Sequence, residues 1–128
     1  MAAGLAMAAY LLVSGLVGGE GVAGVLGRFD LTAEQSPLTG GLLHLATSAI
    51  YGLVFALLLR IGRGRWPAVT RAGWAFGIVY GLALFVLAWL WFVPVGSPLR
   101  GLGAANFAAA HALYGAVLGY LVGRHARA

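Results

Sequence analysis

Two histidines, His44 and His111, lie inside long apolar stretches of this chain and are its main candidates for chemistry. An ionisable side chain in a membrane interior is a functional-site hypothesis by default. In neutral form two imidazoles from different helices can ligate a haem or a chlorophyll-type pigment. His44 lies on one helical face with Ser48 and Gly52, and His111 on one face with Gly115 and Gly119. Both rings therefore point toward other helices. Counted from the outer ends of their helices, His44 is ~5 Å deep and His111 ~13 Å deep. That offset counts against a bis-histidine haem laid straight across a bundle. An interhelical hydrogen bond from each ring is the plainer reading. His125 sits in an arginine-rich tail and is expected to be solvated.

A Tyr-Gly pair occurs in each of three apolar runs, at Tyr51-Gly52, Tyr80-Gly81 and Tyr114-Gly115. Small residues recur four apart in the same runs, as Ser48/Gly52/Ala56, Gly73/Gly77/Gly81 and Gly115/Gly119/Gly123. That spacing keeps them on one helix face, where they let backbones approach closely within a bilayer. The tyrosines fall at about one depth. Each buried phenol needs a hydrogen-bond partner, and Thr47 and His111 stand one turn before Tyr51 and Tyr114 on the same helices. The layer reads either as packing or as the polar lining of a ligand cavity, with Tyr51 and Tyr114 beside the histidines.

The elements that position these residues must be membrane helices. Of 128 residues, 62% are hydrophobic and 9% charged, a balance no soluble domain of this length can bury. Spans are expected at 3–19, 41–59, 72–93 and 102–122, each near the ~20 apolar residues that cross a bilayer. The fold class is all-α, a polytopic four-helix bundle in one domain with short loops. An interfacial or partly re-entrant segment follows the first helix, where residues 21–30 are apolar but half a span long. Leu31-Thr32-Ala33-Glu34 resembles a capping start, and Ser36-Pro37 breaks the chain before the second helix. Pro94 and Pro98 are expected to stop the third. Asn106 either caps the fourth helix or lines an outer pocket. No basic residue precedes the first span, so it is not expected to be a cleaved signal; a start upstream of Met1 stays open.

Arginine distribution orients the bundle. Arg60, Arg63, Arg65, Arg71, Arg124 and Arg127 fall on one side, and only Arg28 and Arg100 on the other, with Glu20, Asp30 and Glu34. The positive-inside rule puts both termini in the cytoplasm of a bacterial cell, in its inner membrane. Trp66 and Trp74 would mark the inner interface, Trp89 and Trp91 the outer one. The net charge of +5 is read as topology, not as nucleic-acid binding.

The absence of cysteine removes disulfides and thiolate chemistry. No Asp or Glu lies within the last three spans, where coupled transporters carry such groups, and no metalloprotease, phosphate-loop or serine-triad motif is present. An enzyme is therefore not expected. Ser14, Thr47 and Ser48 read as helix-packing residues.

The stretch His44-Leu-Ala-Thr-Ser-Ala-Ile-Tyr-Gly-Leu-Val-Phe-Ala56 resembles the second helix of a family of small bacterial four-helix membrane proteins of unknown function. Gly77, Tyr80-Gly81 and Pro94-Val-Gly96 are similar to its third helix, and His111-Ala-Leu-Tyr-Gly-Ala-Val-Leu-Gly119 to its fourth. Ser48 stands where that pattern has glycine. The resemblance covers most of the chain after residue 40 and implies the fold, with no activity to carry over.

Three functions fit these observations. The first is a non-catalytic accessory or structural subunit, packing against a larger membrane complex or self-associating through small-residue faces that exceed what one bundle needs. The second is a membrane binding module holding haem, pigment, quinone or lipid through His44 and His111. The third is a small uncoupled channel or permease. The partners expected are the bilayer and other membrane subunits or further copies of the chain.

Overall fold

The computed structural model of the chain describes residues 1–32, 34–62 and 72–125, the side chain of His125 excepted. Trp66, Arg63, Arg65, Arg71, Arg127 and the His125 side chain, to which the sequence assigns interfacial or charge roles, lie outside the described residues. The elements are α1 (Ala2–Val17), α2 (Val22–Gly27), α3 (Pro37–Gly62), α4 (Gly73–Leu87, continued by a π-helical turn Ala88–Phe92) and α5 (Ala104–His125). A short 3-10 turn, Pro98–Leu102, precedes α5. The chain is an all-α membrane protein. Among the described residues three helices are long and apolar enough to cross a bilayer, namely α3, Gly73–Phe92 and Ala104–Arg124.

The fourth member of the bundle, α1, is the short one. It has 16 residues, against the ~17–25 of a spanning helix. Its Gly4 packs on Ser48 of α3, and its Ser14 meets Asn106 at the start of α5. It thus lines the half of the bundle that carries residues 18–36 and 93–103, here termed the loop end. Buried Ala3, Met7 and Leu11 form its inner stripe, while Leu5, Val13, Leu16 and Val17 face outward. Outward-facing apolar side chains on α3 and α4, including Leu53, Leu57, Val79, Leu90 and Trp91, form the surface that lipid covers.

The closest contact is between α4 and α5, and it is made of backbone. A Cβ built on Gly77 would strike the Gly115 carbonyl oxygen, and one on Gly81 the His111 carbonyl. At Gly73 it would lie 2.7 Å from the Gly119 oxygen and 3.2 Å from the Gly123 Cα. Only hydrogen fits at these positions, so two helices meet along their full glycine faces. Van der Waals packing and Cα–H···O contacts replace the side-chain core that lipid would not drive together. The two glycine runs read from the sequence therefore satisfy each other.

At the loop end, helix starts differ from expectation. The second span begins at Pro37, four residues earlier than position 41, because proline favours the first helical turn. Ser36 opens the helix: its Oγ accepts the Thr39 N–H at 3.4 Å and its carbonyl the Gly40 N–H at 2.9 Å. The Ser36-Pro37 pair thus starts α3. The third span ends at Phe92, before Pro94, through its π-helical turn. Between α1 and α3, α2 is a six-residue turn of helix whose Val25 packs on Gly15. Gly40 of α3 sits directly on the Leu26 carbonyl.

Candidate functional site

α3 does not share the glycine seam. It is joined to α4 and α5 by two tyrosines that reach across. Tyr80 Oη donates to the Tyr51 carbonyl at 2.8 Å, and Tyr114 Oη donates to the Ser48 carbonyl at 2.7 Å. Each carbonyl already serves its own helix and uses its second lone pair here. The acceptors are one turn apart on α3, so the two hydroxyls reach it within a turn of each other, and the Tyr80 ring packs tilted on Phe55 at 5.0 Å. The partners foreseen on the same helices are not used. Thr47 is exposed, and His111 turns to the main chain of its own helix. Gly52 admits the Tyr114 hydroxyl, which would be 3.6 Å from a Cβ there.

Above these two bonds, toward the loop end, α3 stands away from the α4–α5 pair and leaves a cavity of about 280 Å³. Its walls include His44, Ser48 and Tyr51 of α3, Leu84 and Ala88 of α4, and Phe107, His111 and Tyr114 of α5. Met7 and Phe29 close it from α1 and the loop. Leu31, Leu43, Thr47 and Phe92 also line it, yet are exposed on the lipid-facing surface, so they mark its mouth.

Both histidines open on this one cavity. The four extra residues at the start of α3 place His44 ~6 Å deeper than position 41 would. That removes most of the depth offset expected from the sequence. His44 Nε2 lies 3.0 Å from the Gly4 carbonyl, and His111 Nδ1 lies 2.9 Å from the Phe107 carbonyl. Carbonyls only accept, so these nitrogens donate, and each neutral ring presents its other nitrogen as an acceptor. Those two nitrogens, His44 Nδ1 and His111 Nε2, meet no hydrogen-bond partner among the described residues. Among the described residues the only fully buried side-chain polar atom lacking a partner is Arg100 Nε. The two imidazole acceptors therefore keep some accessible surface, and both rings line the cavity. Aromatic rings fix both: Phe29 lies 4.7 Å from the His44 ring, and Phe107 edge-on 4.5 Å from that of His111.

The polar residues that hold the loop end together are ones that sequence reading treats only as charges. Asp30 is 1% exposed. Its carboxylate accepts the Thr32 N–H and the Ser36 N–H, both at 2.9 Å. These bonds, that of Thr32 foremost, hold its carboxyl below the usual carboxylate range. The Asp-x-Thr spacing is an Asx-turn signal that could have marked it. Arg28 Nε pairs with Glu20 at 2.8 Å and its Nη1 donates to the Pro98 carbonyl at 2.6 Å. Arg100 Nη2 donates to the Trp89 and Val93 carbonyls at 2.6 and 2.9 Å, and the guanidinium covers the Trp89 ring at 4.3 Å. This satisfies carbonyls that the π-helical turn leaves open. Trp89 is half-buried between Arg100, Phe85 and Phe107, while Trp91 is exposed. Asn106 does line a second, open and polar recess with Ser14, Glu20 and Arg28, and donates to Ser14 Oγ at 2.8 Å.

Two neutral imidazoles in an apolar cavity suit some ligands and not others. A bare divalent cation would keep its charge without a carboxylate in low dielectric. Among the described residues no group of three or more His, Asp or Glu stands together. The cavity's volume of about 280 Å³ lies at the lower end of the ~300–1,000 Å³ that drug-sized ligands occupy, which favours a single small ring over a porphyrin. No protein-family model matches the chain, and neither does a curated protein or a solved structure.

Proposed function

We propose that this protein is a non-catalytic membrane binding module that holds a small, largely apolar ligand between α3 and the α4–α5 pair. The observation that carries this reading is the shared cavity, with one unengaged acceptor nitrogen from each of His44 and His111. Buried polar groups left without partners are costly, by ~1–3 kcal/mol each, unless water or a ligand meets them. The accessory-subunit reading rested on surplus small-residue faces. Those faces are spent inside the chain: Gly73, Gly77 and Gly81 on Gly115, Gly119 and Gly123, and Ser48 on Gly4. That weakens the case for a larger complex as the primary role.

Residence in a bacterial inner membrane with both termini inside belongs to the same proposal. Its support is that the two loop-end arginines, Arg28 and Arg100, are engaged in the fold, while Arg60 and Arg124 at the opposite end are exposed.

The test is mass spectrometry of the protein purified gently from its native membrane, beside the double variant His44→Ala/His111→Ala. A small molecule other than bulk phospholipid, retained near one per chain by the natural protein and lost from the variant, is expected. A natural protein that carries none would sink the reading.

A further inference from the structure

The hydrogen-bond character of the cavity narrows what it can hold. A dry apolar cavity of ~150 Å³ accepts benzene. About 280 Å³ therefore leaves room for a single ring bearing substituents. The walls supply aromatic faces from Phe29, Tyr51, Phe107 and Tyr114. Offset or edge-on packing against such faces suits a flat ring. The mouth at Leu31, Leu43 and Phe92 opens among exposed apolar side chains, so a ligand enters from lipid and can leave an alkyl tail there.

The two imidazoles then set the polarity. Main-chain carbonyls at Gly4 and Phe107 fix which nitrogen of each ring carries hydrogen. Both rings line one small cavity, and the nitrogen that each has left to offer is an acceptor. The hydroxyls of Thr47 and Tyr51 can donate or accept by rotating and so discriminate little. A site built of fixed acceptors favours a ligand with two donors and rejects its analogue that has only acceptors, because the latter leaves both sides unpaired.

Resting on the binding-module reading, we infer that the cavity takes the reduced, hydroquinone form of a lipid-soluble quinone. Its two ring hydroxyls donate to His44 Nδ1 and His111 Nε2, and its tail passes between Leu31, Leu43 and Phe92. The oxidised quinone carries two carbonyl acceptors and is the disfavoured form.

The experiment is equilibrium binding of decylubiquinol and decylubiquinone, under nitrogen, to the purified protein in nanodiscs, with bound ligand quantified after extraction. The quinol is expected to bind at least about tenfold more tightly, the cost of roughly one unmatched buried hydrogen bond. His111→Phe and His44→Phe should each lower quinol affinity and reduce that preference. Leu43→Trp, which narrows the mouth and leaves both imidazoles in place, should weaken both forms alike, and quinone binding retained by the two histidine variants guards against loss through misfolding. Equal affinity for the two forms, or tighter binding of the quinone, overturns the inference and leaves the cavity a binding site. Binding of neither form also overturns it. The broader reading then stands or falls with the mass spectrometry of the native preparation.

Discussion

The hydroxyl of Tyr114 donates to the carbonyl oxygen of Ser48 at 2.7 Å, across the gap between α5 and α3. With Tyr80 on the Tyr51 carbonyl, it sets how far α3 stands from a helix pair that is otherwise closed backbone to backbone. The same separation creates the cavity above it.

Removing that hydroxyl while keeping the ring should loosen α3 selectively. Tyr114→Phe and Tyr80→Phe are each expected to lower stability by about 0.6–1.5 kcal/mol, the range for interhelical hydrogen bonds in membranes and for hydrogen bonds generally. Reversible unfolding in mixed micelles measures it. Unchanged stability in both variants would show that the two bonds do not hold α3.

The glycine seam should tolerate nothing larger than hydrogen. Gly77→Ala places a methyl on the Gly115 carbonyl and must open the α4–α5 contact, at a cost of about 2–3 kcal/mol or more. Gly41→Ala, where a Cβ meets nothing within 4 Å on a helical position, should be neutral or stabilising by up to about 1 kcal/mol. Paired thermal-shift measurements decide the contrast, and equal behaviour of the two variants would contradict the seam.

Arg100 is expected to resist conservative replacement. Lysine is a point charge that cannot reproduce a planar group donating to two carbonyls while lying flat on Trp89. Arg100→Lys should destabilise the end of α4 by roughly 1–2 kcal/mol. It should also change the emission of Trp89, read against a Trp89→Phe control; an emission spectrum identical to that of the parent would argue against the stacked guanidinium.

Asp30 gives the loop end a pH dependence of definite sign. Its carboxyl is held below the unfolded value, chiefly by the bond from Thr32, so its contribution is fully present above the unfolded pKa of ~3.9. It is lost as pH falls through the lowered folded value. Hydrogen exchange at the Thr32 and Ser36 amides, corrected for intrinsic rates, should be flat from neutral pH down to about 5 and should accelerate only below ~4. Asp30→Asn should show faster exchange at neutral pH. Protection that already fails near pH 6 would point to another group.

Much of the architecture was legible in the residues taken in order. Long apolar runs with small residues four apart dictate helices with glycine faces, because both lipid solvation and the 3.6-residue repeat are local properties. The inward aim of His44 and His111 followed from the same periodicity. The start of α3 was misplaced because proline was read as a breaker at a position where it serves as the first helical residue.

Which glycine face meets which, however, is not a local property. Gly77 finds Gly115, and Ser48 finds Gly4, only once the helices are assembled. The same holds for hydroxyls that bypass near neighbours for carbonyls far along the chain, and for the tie of Arg28 to Glu20 and Pro98. From its sequence alone this protein is a bundle of membrane helices with two inward histidines. That those histidines share one cavity, each with a single nitrogen left to offer, was decided by tertiary packing. A hydrogen bond depends on atoms brought within ~3 Å, and sequence periodicity sets only the face from which each side chain starts.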